Sequence, residues 1–235
     1  MNEQLERINT KLKELERLDK GFTLFGSSKH RYRLNPTLQL QTIRQFEQAH
    51  SVKLPREYVQ FLTELGNGGA GPFYGLEPFE NVLFDDLDCK RPNSSLNPSQ
   101  PFLHTEPWNL QFQTTVDEDE DEEEYEKQQQ AFEELYYDKE QMNGVIAICN
   151  YGCGVSLNLV VNGEEYGNIW ADHRGSDGGI RPSHELGNKE KTSFLNWYEL
   201  WLDNSLKEIK AKLSPFDAAN KKPEKRSAKP WWKVW

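Results

Sequence analysis

Apolar residues recur at helical spacing at both ends of the chain and crowd into short runs between them. Leu5, Ile8, Leu12 and Leu15 follow a 3-4-3 spacing, with Leu18 beyond, and predict a helix over residues 2–19. Two heptads match a short coiled-coil seam, but a sustained one needs about three or four, so the stripe is expected to face its own domain. Gly21 supplies the stop, and residues 22–25 read as a short strand. A second helix is expected from Thr37 to His50, with Leu40, Ile43 and Phe46 on one face. A third begins at Pro55, where the missing N–H of proline costs nothing. Tyr58, Phe61, Leu62 and Leu65 then follow at i, i+3, i+4 and i+7, a core-facing stripe closed by Gly66.

The middle of the chain changes period. Residues 73–76 and 81–84 read as short strands, and residues 85–113, rich in Pro, Asn and Ser, as loops. An acidic run follows, with a helix after it through Leu135. Residues 145–148 are a buried strand. Residues 156–161 and 165–170 flank Asn162-Gly163, the strongest short hairpin signal, and residues 172–182 form a polar, Gly-rich loop. A last helix is expected from Thr192, as N-cap, to Leu213, with Phe194, Trp197, Tyr198 and Trp201 as its apolar stripe. Helices first, strands in the middle and a helix last predict an α+β fold with an antiparallel or mixed sheet. The expected organisation is an N-terminal helix over residues 1–20, a domain over 21–213 and a tail over 214–235.

Composition narrows the function. The 235 residues include 7 Trp, 9 Tyr and 12 Phe, too many aromatics for a wholly disordered chain. No apolar run approaches the roughly 18 residues of a membrane span, and the N-terminus lacks the apolar stretch of a signal peptide, so a cytoplasmic protein is expected. Cys89, Cys149 and Cys153 are too few for a disulfide framework. Net charge is -10, against generic nucleic-acid binding, yet residues 117–126 alone hold nine carboxylates and everything else sums to -1. Asp117, Glu118, Asp119, Glu120, Asp121, Glu122, Glu123 and Glu124 therefore form a local field: either a solvated loop or a docking surface for a basic partner. Residues 221–235 carry +5 and end in Trp231, Trp232 and Trp235, which would fold back onto the domain or anchor a partner.

Candidate chemistry is sparse. Gly66-Asn67-Gly68-Gly69-Ala70-Gly71 satisfies G-x-G-x-x-G, but it follows a helix rather than a strand, so a tight turn needing positive φ is expected instead of a dinucleotide site. Cys149 and Cys153 lack a second ligand pair for a metal site. The segment Asp172-His173-Arg174-Gly175-Ser176-Asp177, with His184 and Glu185, is the one stretch dense in acid–base groups. Its spacing matches no known ligand motif, and Asp side chains capping local backbone N–H groups are expected there. No nucleophile elbow, P-loop or H-E-x-x-H is present.

Leu54, Pro55, Tyr58, Phe61 and Leu62, then Asn67, Gly68 and Gly69, then Gly71, Pro72, Phe73, Tyr74 and Gly75, form a pattern that resembles the SUKH superfamily. The later Ile-Ala-Ile-Cys strand, a hairpin ending at Trp170 and an aromatic closing helix are also similar, over about residues 30–210. The region 85–141 is longer and more acidic than that pattern, so residues 114–141 are treated as an insertion. The resemblance implies one SUKH-like domain with a curved, mainly antiparallel or mixed sheet flanked by helices, no catalysis, no cofactor and no metal. It also implies protein binding: either an immunity protein that neutralises a toxin or a regulatory scaffold of cell-wall or envelope synthesis; the acidic run, whose role is not inherited from the family, points to a basic toxin. The acidic run with Asp172 and Asp177 would be the partner surface, with no direct nucleic-acid or membrane contact. A hydrolase or metal-dependent enzyme using Asp172, His173 and Asp177 is the minor alternative.

Overall fold

The computed structural model describes residues 3–90 and 95–214; the basic tryptophan tail lies outside them. Among the described residues, six helices surround one four-stranded sheet: α1 (Glu3–Leu18), α2 (Ser27–His30), α3 (Leu40–Ala49), α4 (Arg56–Glu64), α5 (Glu122–Tyr136) and α6 (Phe194–Leu213). The strands β1 (Val145–Gly152), β2 (Val155–Val160), β3 (Ile169–Asp172) and β4 (Ile180–Pro182) pair in sequence order, every pair antiparallel. The fold is thus α+β with an open antiparallel meander.

Both sheet faces are covered, which is why the first half of β1, Val145 to Cys149, reads as a continuous apolar run. Ile146, Ile148, Leu157, Leu159, Ile169 and Ala171 pack on the helices. Val145, Ala147, Val160, Trp170 and Ile180 face the other way, against Leu87, Leu96, Phe102 and Met142 from the long loops. On the helical side the stripe of α4 meets that of α6 edge-to-face: Tyr58 on Phe194 at 4.9 Å, Phe61 on Tyr198 at 4.9 Å. Such pairs add about 0.5–1.5 kcal/mol each beyond the area they bury. Leu5, Ile8, Leu12 and Leu15 of α1 sit in the same core. Glu199 of α6 clamps α1 by accepting hydrogen bonds from Gln4, Arg7 and Lys11.

Several local expectations give way to tertiary contacts. Residues 22–25 are a turn, not a strand, because the Asp19 carboxylate accepts the N–H groups of Thr23 (2.7 Å) and Leu24 (3.1 Å) together with the Tyr32 hydroxyl (2.6 Å). Residues 73–76 and 81–84 make only isolated bridges, with a 3₁₀ turn at Phe79–Asn81 between them. Asn162-Gly163 does not close a two-residue hairpin: Gly163 (φ 114°) bridges to Phe102, and the β2–β3 connection is longer. The tight turn falls instead at Cys153-Gly154 between β1 and β2, with φ of 55° and 74°, the mirror-image geometry that suits strand twist. The end of the 172–182 loop is β4, paired with β3. The helix after the acidic run begins inside it, at Glu122, with Asp121 capping the Glu124 N–H. Carboxylates in its first turn oppose the positive end of the helix dipole.

Candidate functional site: an acidic cleft on the second sheet face

On the face turned away from the helical core, the apolar pattern of the strands breaks. Asn150 of β1, Ser156 of β2 and Asp172 of β3 are cross-strand partners in one row, and Asn158 lies in the next, beside Trp170. This polar row floors a cleft of about 310 Å³. One wall is the loop carrying Asp85, Asp86 and Asp88; the other is the segment after α5 with Tyr137 and Lys139, and Leu87, Leu96, Met142 and Val155 supply apolar surface.

The walls are fastened by specific bonds. Asp88 accepts from the Asn150 amide (2.6 Å) and the Gly154 N–H (3.1 Å), which hold its carboxyl below the usual range. Asp86 accepts the Asp88 and Cys89 N–H groups, an Asx turn that shapes the loop. Arg174 is the central fastener. Its Nε and Nη2 donate to the two oxygens of Asp172 at 2.9 and 2.7 Å, and its Nη1 donates to the carbonyls of Tyr136 and Asp138 at 3.0 and 2.9 Å. One guanidinium thus ties the end of α5 to the sheet.

An aromatic seat completes the attachment of α5. Tyr136 stacks on Trp108 at 5.5 Å, Phe132 on Tyr136 at 5.2 Å, and Phe112 contacts both Tyr125 and Phe132. With that side down, Asp117, Glu118, Asp119, Glu120, Asp121, Glu122 and Glu123 are exposed and Glu124 is half-buried. Among the described residues, Lys127 to Glu124 (3.2 Å) is the ion pair within this run. Glu122, Glu123 and Glu124 are therefore presented by the first turn of an anchored helix, and Asp117 to Asp121 by the segment that leads into it.

The acid–base segment does not converge. Asp172 is taken by Arg174, and its Oδ1 also accepts the Arg174 N–H. His173 Nε2 lies 2.8 Å from Glu185 Oε1, and Ser183 donates to the same carboxylate at 2.6 Å. Burial acts to raise the Glu185 pKa, but the bonds from His173 and Ser183 outweigh it and hold the carboxyl at about 2. Asp177 is exposed in a left-handed turn, with its carbonyl accepting from Asn109. Among the described residues, no three His, Cys, Asp or Glu side chains are grouped to hold a metal ion. Cys149 is buried and its thiol pKa is pushed up by burial, whereas Cys153 is exposed at the β1–β2 turn.

The motif residues build the scaffold. Leu54, Tyr58, Phe61 and Leu62 are in the core, and Pro55 caps α4. Asn67 staples two loops, accepting the Phe79 N–H at 2.7 Å and donating to Glu80 at 3.1 Å. Gly68 and Gly69 have φ of 73° and 97°, with backbone so close that a Cβ on Gly69 would lie 2.5 Å from the Arg33 carbonyl oxygen. Gly71 and Gly75 are equally crowded, Pro72 accepts from the Cys149 thiol, and Trp170 is fully buried; Tyr74 alone of the set is exposed. The model of the SMI1 / KNR4 family (SUKH-1) matches residues 37–185, which include α4, the glycine-tight turn and the four strands.

The chain belongs to this family. The matched SUKH-1 segment runs from just before α3 to just after β4 and includes the acidic run, while α1, α2 and α6 lie outside it. No curated protein and no solved structure matches the chain. No helix among the described residues is long and apolar enough to cross a membrane. Sequence reasoning missed Asp85, Asp86, Asp88, Ser156, Asn158 and the Arg174 tether. Ser156 and Asn158 alternating with Val155, Leu157 and Leu159 were the available signal, since that pattern marks a strand with one polar face.

Proposed function

We propose that this SUKH-1 protein is a binding protein without chemistry of its own, which holds a basic protein partner against its acidic face as an immunity protein holds a toxin. The anchored acidic helix carries this reading: carboxylates fixed on a rigid support form a field that steers a cationic partner and sets its register. The unconverged acid–base segment supports a binding rather than a catalytic role. A scaffold with several partners is the second reading, and it draws on another exposed surface, where Phe25 meets Tyr74 at 5.2 Å and Lys29 lies over the Tyr74 ring.

The test compares the native chain with a variant in which the eight carboxylates of residues 117–124 are changed to amides. Both serve as bait at low and high salt. One stoichiometric basic partner, released by salt and associating more slowly with the variant, is the expected result. An unchanged association rate would remove the acidic run from the interface. Several substoichiometric partners would favour the scaffold.

A further inference from the structure

We propose that the cleft on the second sheet face receives the cationic head of an arginine or lysine side chain presented by the protein partner. This deepens the reading above and rests on it for the source of the side chain.

The first observation is an unmet acceptor. Asn158 is 1% exposed, its amide nitrogen donates to the Ser156 carbonyl (3.1 Å) and hydroxyl (3.0 Å), and its Oδ1 is buried with no hydrogen-bond partner. A buried acceptor without a donor is rare in a finished interior, and this one belongs to a residue that lines the cleft. The second observation is charge. Arg174 and Asp172 pair with each other, and among the other described residues that line the cleft Asp86 and Asp88 stand against Lys139. Arg174 is already spent on Asp172 and two carbonyls, so it offers little to an anion. The third is shape. The apolar lining from Leu87, Leu96 and Met142 suits an aliphatic stem beneath a charged tip, which is how long basic side chains bury. A bare metal ion would want convergent ligands and no apolar wall. A donor-rich, cationic group on a hydrocarbon stem satisfies all three features.

The experiment is a ¹⁵N–¹H titration of the full chain with agmatine and, separately, with acetyl-Gly-Arg-Gly-amide; acetyl-Gly-Glu-Gly-amide is the control. Saturable shifts of the Asn158 side-chain amide and of the Ser156 and Gly154 backbone amides are expected with both cationic probes and not with the control. Asn158→Leu is expected to weaken both by about tenfold, the scale of one hydrogen bond to a charged group. Asp86→Asn keeps the single oxygen that accepts the Asp88 and Cys89 N–H groups while removing one charge from the cleft, and several-fold weakening is expected there even if Asn158→Leu fails to fold. Absence of saturable shifts with either cationic probe overturns the proposal while leaving the acidic-helix reading to its own salt test. Binding of agmatine with exclusion of the peptide also overturns it, because the cleft would then serve a free amine and not a protein side chain.

Discussion

Replacing Arg174 by methionine removes the guanidinium that joins β3 to the end of α5 and keeps an unbranched stem of similar reach. Four hydrogen bonds are lost: two to Asp172, whose side chain is 16% exposed, and two to the carbonyls of Tyr136 and Asp138. Removing one partner of a buried ion pair costs about 3–5 kcal/mol, because the other charge is left behind in a poor solvent. The residual exposure of Asp172 and the freedom of the two carbonyls to rehydrate place the expected cost at the low end, about 3 kcal/mol. For a domain of this size that lowers Tm by about 6–12 °C. Urea unfolding gives the global value, and hydrogen exchange gives the local one: amides in the last turn of α5 should lose protection more than those of β1 and β2. Adding Asp172→Leu to Arg174→Met removes the stranded charge, so the double variant should be more stable than the sum of the single losses by at least about 1 kcal/mol. A single-variant cost below about 1 kcal/mol, with unchanged exchange in α5, would refute the tether and leave the aromatic seat as the support of the acidic helix.

Acid should destabilise the protein through identifiable carboxylates. Glu185 is held at about 2 from its ordinary 4.5, and Asp19 and Glu199 are likewise held at about 2. A carboxyl depressed in the folded state contributes stability that is full above its unfolded value and is lost as pH falls toward the folded one. Urea midpoints should therefore drop steeply between about pH 4.5 and 2, and Glu185→Gln should forfeit about 2–3 kcal/mol at neutral pH that the native chain retains there. The gap between the two should close near the bottom of that window; a constant gap would show that Glu185 matters through packing rather than charge. Glycine chemistry provides a second check by urea unfolding. Gly69→Ala must bear both a φ of 97° and a Cβ 2.5 Å from a carbonyl oxygen, whereas Gly154→Ala bears only a φ of 74° in open space. Expected costs are above about 3 kcal/mol and about 1 kcal/mol respectively; equal costs would refute the close-approach argument.

Helical elements were the most legible part of the chain. The stripes Leu5-Ile8-Leu12-Leu15, Tyr58-Phe61-Leu62 and Phe194-Trp197-Tyr198-Trp201 are buried as their spacing requires, since helical period and a single core leave those side chains one place to go. The expectations that failed were local turn and strand signals with a stronger tertiary competitor. Asn162-Gly163 carried the better hairpin dipeptide, yet Phe102 engages Gly163 and the tight turn moves to Cys153-Gly154. The segment after α1 had strand-like composition, yet Asp19 takes its backbone donors.

By itself the sequence determined the α+β class, the placement of the major helices and of the first two strands, the glycine-tight turn of the family motif and the local concentration of negative charge. These follow from period, from backbone sterics and from counting, which act over a few residues. Only the tertiary structure decided what that charge is attached to. Arg174 reaches back to Tyr136 and Asp138, Asp88 reaches forward to Asn150 and Gly154, and Asn158 is left with an unanswered oxygen beneath them. Those partners lie 36 to 66 residues apart in the chain. No local pattern encodes such pairings, because a hydrogen bond is specified by where the fold brings two groups and not by how far apart they are written.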